Sequence, residues 1–151
     1  MYNYNNFVNN YRQNNLDYMN NMFDYSELNN NQNMNLFTPK EGFEKGNLFM
    51  DLYSEYKNYK PRKLNPRNDQ ERLMLEINEN LFAAHELNLY LDINPNDNSM
   101  LALFNDYRKK AEDLKKQYEQ LYGPLCITSD VLNNSPFLWE KTSFPWEGGN
   151  N

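Results

Sequence analysis

Between about Asp69 and Gly123 the apolar positions fall on two ladders that face each other across a polar turn. On the first stand Met74, Ile77, Leu81, Ala84, Asn88 and Leu91, spaced alternately by three and four residues, as one stripe on an α-helix requires. On the second stand Met100, Phe104, Tyr107, Ala111, Leu114, Tyr118 and Leu121. The run Asn94-Pro95-Asn96-Asp97-Asn98-Ser99 between them is made of turn-forming residues. Counting outward from that turn opposes Leu91 to Met100, Asn88 to Phe104, Ala84 to Tyr107, Leu81 to Ala111 and Ile77 to Leu114. The stripes are therefore in register as an antiparallel helical hairpin. The predicted fold class is all-α: a two-helix hairpin over residues 68–123, with a short preceding helix, a largely disordered Asn-rich N-terminus and an aromatic C-terminal tail.

Local chemistry sets the helix ends. Asn68 or Asp69 can accept hydrogen bonds from the free amides that open the first helix, and Glu71 suits its positive end. The second helix is capped either by Asn94, with Pro95 in its first turn, or by Asp97. Gly123-Pro124 stops it, because glycine accepts a left-handed C-terminal turn and proline cannot continue the helix.

The flanks divide into three. Residues 1–37 are a leader in which fourteen positions are Asn; so little apolar surface cannot repay the entropy of ordering, although scattered Tyr and Phe leave self-association open to it. Residues 38–67 begin a new texture. Gly46-Asn47 offers an N-cap, and Phe49, Leu52, Tyr53 and Tyr56 line one face at helical spacing, which predicts a short helix over about Leu48–Asn58. Three turns are marginal alone, so this aromatic face needs a partner. A basic, proline-punctuated linker, Lys60–Arg67, leads into the hairpin. The tail, 124–151, has no period and carries both tryptophans, Trp139 and Trp146. It either folds back across the hairpin or anchors a partner.

Charge and chemistry narrow the picture. The 151 residues carry a net charge of −6, which disfavours nonspecific binding to nucleic acid. The hairpin from Asp69 to Gly123 holds six basic and eleven acidic residues, the preceding Thr38–Asn68 seven basic and four acidic, so the two segments are expected to dock. The single cysteine, Cys126, cannot form an intramolecular disulfide. No apolar run reaches the length of a membrane span, and Met1-Tyr2-Asn3-Tyr4 does not open a signal peptide, so synthesis in the cytoplasm is expected. The one histidine, His85, has no partner for a catalytic dyad and reads as an interface residue at the edge of the first stripe. Phe82 stands where a Glu-x-x-His metal pair would need its glutamate. No catalytic, metal or cofactor site is assigned, and a non-enzymatic role is expected.

Asn88 interrupts the first stripe, and a buried amide there would specify the register of the two helices. Two helices are too thin to hide apolar residues all round. Leu75, Phe82, Leu89 and Tyr90 are left on a second face; with Phe49, Tyr53, Tyr56, Trp139 and Trp146 they are the candidate partner-binding residues.

Several of these residues also carry a resemblance. Leu87-Asn88-Leu89-Tyr90-Leu91-Asp92, Asn94-Pro95-Asn96-Asp97, Ala102-Leu103-Phe104-Asn105, Tyr118-Glu119-Gln120-Leu121-Tyr122-Gly123-Pro124-Leu125 and Phe144-Pro145-Trp146-Glu147-Gly148-Gly149 resemble the CotJB family of bacterial spore-coat proteins, over about Arg72–Gly149. A second resemblance, over about Phe37–Tyr59, is to the small CotJA family: Pro39, Gly46, Leu48-Phe49, Leu52-Tyr53 and Tyr56 carry it, while Asn47 and Met50 stand where that pattern has Thr and Pro. The resemblance implies a structural component of the spore coat, acting with other coat proteins and with a manganese-catalase-like protein. The competing expectation is a general helical-hairpin adaptor that binds a partner helix or peptide outside any coat.

Overall fold

A computed structural model describes residues 35–141. The expectations for the leader's disorder and self-association, and for Trp146, fall outside these residues. Among the described residues there are three helices, α1 (Pro39–Lys45), α2 (Asp69–Ile93) and α3 (Asn98–Tyr122), with short 3₁₀ turns at Met50–Leu52, Asp130–Asn133 and Leu138–Lys141. Among the described residues the only β pairing is a single antiparallel bridge, Leu36 to Phe49.

The long helices begin and end where local chemistry places them. Asn68 caps α2, its side-chain oxygen accepting the Glu71 amide at 2.8 Å. The open choice at the second helix falls to Asp97: its Oδ1 accepts the amides of Ser99 at 3.2 Å and Met100 at 3.1 Å. Its Oδ2 accepts the Tyr90 hydroxyl at 3.1 Å, which ties the cap of α3 back to α2. The Ser99 hydroxyl, then the Met100 amide, hold this carboxyl below the usual carboxylate range. Gly123, at φ 109°, ends α3 in a conformation that a side chain would strain.

Helices α2 and α3 pack against each other as the antiparallel hairpin, joined near the open end by a 2.9 Å hydrogen bond from Gln70 Nε2 to the Tyr118 hydroxyl. On α3 Met100, Tyr107, Ala111, Leu114 and Tyr118 of the predicted stripe are buried, Phe104 and Leu121 of it are half-buried, and Leu103 and Glu119 are buried in addition. On α2 the stripe is turned. Its buried residues are Leu73, Ile77, Glu79, Asn80, Ala83, Ala84 and Leu87, so Ile77 and Ala84 are shared with the ladder read from spacing. Leu81 is 50% exposed and Asn88 is exposed as well. Asn88 therefore does not sit between the helices and cannot fix their register from there. The buried amide is Asn80, whose Nδ2 donates to the Glu76 carbonyl at 2.7 Å. His85 is likewise exposed, not an interface residue.

The turn of the stripe has a physical cause on the opposite side of α2, where α1 and the chain after it are packed. α1 starts earlier than the helix predicted over Leu48–Asn58. Thr38 and Glu41 form a reciprocal capping box around Pro39, and Gly46, at φ 76°, closes the helix instead of opening one. Asn47 does accept an amide, that of Phe49 at 2.8 Å, but it starts a turn. Phe49 is held extended by its bridge to Leu36, and the Phe37 amide donates to the Leu48 carbonyl at 2.9 Å. These long-range bonds take the backbone that a helix through Leu48 would have needed. Leu48 is fully buried over Gly42, where an added Cβ would lie 3.2 Å from Leu48 Cδ1 and 3.3 Å from its Cα. Glycine at 42 is what lets the chain fold this close to its own helix.

Glu79 on α2 is a buried carboxyl, as is Glu119 on α3. Glu79 is 8% exposed, and burial pushes its carboxyl above the usual range, with Glu76 and Glu44 adding to the rise and Lys40 on α1 and Lys110 on α3 opposing it. A carboxyl raised in the folded state contributes most stability where it is protonated, and that contribution is lost as pH rises through the folded value. Glu79→Gln is therefore expected to raise the melting temperature at neutral pH, with the gain over the parent shrinking as pH falls to about 4, the unperturbed carboxylate range. Thermal melts of both proteins across that window check it; a gain that grew toward acid would contradict the assignment.

Candidate partner-binding surface

Residues 36–53 close one side of α2, and they do so largely with aromatic rings. Phe43 of α1 meets Phe82 edge to face at 5.7 Å, and Phe49 lies over Tyr90 at 5.5 Å. The Leu48 amide donates to Glu86 Oε2 at 3.4 Å. Within the same layer, Phe37 and Tyr53 pack edge to face at 5.7 Å, and the Lys45 ammonium lies 4.8 Å from each ring. The expected docking of the basic segment on the acidic hairpin is thus present as a contact, built mainly from apolar surface.

Of the candidate partner-binding residues, this layer uses several. Phe49 is buried, Phe82 and Tyr90 are half-buried beneath Phe43 and Phe49, and Tyr53 is half-buried against Phe37. These four are engaged inside the fold and do not form a free second face. Leu75 and Trp139 are half-buried. Tyr56 and Leu89 remain exposed.

Three exposed apolar residues stand at the closed end of the hairpin, while Ile127 and Phe137 are exposed beyond its open end. Ile93, the last residue of α2, is 82% exposed; Leu89, one turn before it, is 48% exposed, and Leu101 in the first turn of α3 is 41% exposed. Leu89 and Ile93 are four residues apart and so lie on one side of α2. A signal for them exists in the sequence: Leu89 and Ile93 fall off the ladder that holds Ile77, Ala84 and Leu91.

At the other end, the chain leaving α3 returns along it. Pro124 is buried, the Leu125 amide donates to Glu119 Oε1 at 3.1 Å, and the Lys115 ammonium donates to Cys126 Sγ at 2.9 Å. Cys126 is half-buried among polar neighbours: Thr128 Oγ1 lies 3.1 Å from the sulfur. Lys115 first, then Thr128, draw the thiol below its ordinary range. Among the described residues no three His, Cys, Asp or Glu side chains come together as a metal site, and no helix is long and apolar enough to cross a membrane.

Together these features define a small all-α hairpin protein, sheathed on one side by its own upstream segment and apolar at its closed end. The model of the CotJB protein family matches residues 71–147, and the chain belongs to that family. CotJB is a family of spore coat proteins, not of enzymes, which makes this chain a sporulation protein located in the spore coat. The match begins within the first turn of α2, so the 36–53 layer lies outside it. No curated protein and no solved structure matches the chain.

Proposed function

We propose that the protein is a non-enzymatic assembly scaffold of the spore coat, with the closed end of its hairpin as the surface that recruits other coat proteins, a manganese-catalase-like protein among them. The observation that carries this reading is the exposure of Leu89, Ile93 and Leu101 at one end of a hairpin whose neighbouring side is already covered. Ile93 forgoes most of the roughly 1.5–3 kcal/mol that full burial of such a side chain yields, and Leu89 and Leu101 about half of it each, a cost that contact with a second protein would recover. The segment over residues 36–53 fits the same reading: it acts as a CotJA-like partner carried in cis, tethered by the linker at high effective concentration. The catalase-like partner comes from the family resemblance.

The test is affinity capture from sporulating cells, with the full chain and with a Leu89→Ser, Ile93→Ser double variant. Both positions are exposed, so the variant is expected to fold as the parent does. The parent is expected to retain identified coat proteins from the insoluble coat fraction, and the variant to lose them. Equal recovery by both would refute the closed end as the recruiting surface.

A further inference from the structure

The segment between the aromatic layer and α2 carries a concentration of charge that the fold does not use. Lys57, Lys60, Arg62 and Lys63 place four cations in seven residues, and all four are exposed. Among the described residues none of them has an ion pair or hydrogen bond, whereas Lys45, Arg67, Arg72 and Lys116 each pair with a carboxylate. The segment is nevertheless anchored. Pro61 and Leu64 are half-buried, the Leu64 amide donates to Glu44 Oε1 at 3.2 Å, and Arg67 grips Glu71 through its amide at 2.8 Å and its guanidinium at 2.6 Å. A turn closed by the Tyr59 amide on the Tyr56 carbonyl, with Asn58 at φ 68°, fixes the other end. Pro61 and Leu64 face the protein while the cations face out. Holding like charges together on an ordered strap costs energy that nothing within the described fold returns.

We infer that this strap, Lys57 to Lys63, is a docking site for a short acidic peptide segment of a partner protein. Charge complementarity points to an anion. The size and surroundings of the patch point to a short one: seven residues span at most about 24 Å, and the hairpin beside them is net acidic, with six basic against eleven acidic residues. A long polyphosphate would run off the strap onto that acidic surface, while a few Asp or Glu side chains would not. Tyr56, 83% exposed, and Tyr59 flank the cations and offer apolar faces to the remainder of such a peptide. The inference deepens the scaffold reading and rests on it, by giving one recruiting surface a chemistry distinct from that of the closed end.

The test titrates the full chain with a fluorescein-labelled octaglutamate peptide and, in parallel, with a labelled eight-nucleotide oligothymidylate, at low and at physiological salt. The peptide is expected to bind the more tightly of the two and to weaken as salt rises. In a Lys57→Ser, Lys60→Ser, Arg62→Ser, Lys63→Ser variant its affinity is expected to fall about tenfold, which is what four exposed ion pairs of ordinary strength add up to. Circular dichroism of the variant is expected to match the parent, since these side chains support nothing in the described fold. Tighter binding of the oligonucleotide, or an unchanged peptide affinity in the variant, would overturn the inference. Failure here with the Leu89, Ile93 effect intact would remove the strap and leave the scaffold; the reverse result would remove the closed end alone.

Discussion

Replacing Leu48 by alanine is expected to cost the protein about 2–5 kcal/mol, the range for deleting a buried leucine side chain from a packed site. For a folded unit of this size that is on the order of 10 °C or more in melting temperature. The size of the effect follows from where Leu48 sits. It is fully buried, its side chain fills the space above Gly42, and its amide and carbonyl tie α2 and the strand-like residues 36–37 to one point. Losing it loosens the whole 36–53 layer and uncovers Phe82 and Tyr90. Calorimetry measures the loss, and proteolysis is expected to cut first before residue 69. A melting temperature within a degree or two of the parent would mean that the layer is not held by this contact.

The second large effect separates two leucines on one helix. Leu87→Ala is expected to cost about 2–5 kcal/mol, whereas Leu81→Ala is expected to cost less than about 1 kcal/mol. Leu87 is fully buried and Leu81 is 50% exposed. The spacing of apolar residues alone ranks them the other way, because Leu81 lies on the predicted stripe and Leu87 does not. Chemical denaturation of the two single variants decides which side of α2 is buried. Equal losses would mean that the stripe read from spacing is also buried.

These two leucines show where local reading stops. The ladder on α3 was legible because apolar residues on that helix alternate with charged ones, leaving one side that could be buried. α2 is different: Leu73-Met74-Leu75, Leu81-Phe82-Ala83-Ala84 and Leu87 through Leu91 put apolar groups on nearly every side, so several stripes fit the same spacing. Which stripe is buried depends on α1 and Phe49, more than 30 residues upstream of the middle of the helix. The candidate surface was legible in part for the same reason. Leu89 and Tyr56 stand exposed, while Phe49, Phe82, Tyr90 and Tyr53 are drawn into the layer that covers α2. The short helix was displaced because Phe49, Leu52, Tyr53 and Tyr56 imitate a helical face, and nothing in that stretch reveals the pairing of Phe49 with Leu36. Its true start was present in the chain as Thr38-Pro39-Lys40-Glu41, a capping box with proline in the first turn.

Sequence by itself determined the features that rest on neighbours within a turn or two: the cap positions to within a choice of two residues each, the stop at Gly123-Pro124, the turn between the long helices and most of the buried stripe of α3. It also carries the motifs by which the chain belongs to the CotJB family. Tertiary structure alone decided which apolar side chains of α2 are dry and which are wet. A helix offers the same hydrophobic groups in every direction, and only the arrival of a distant segment on one side chooses among them.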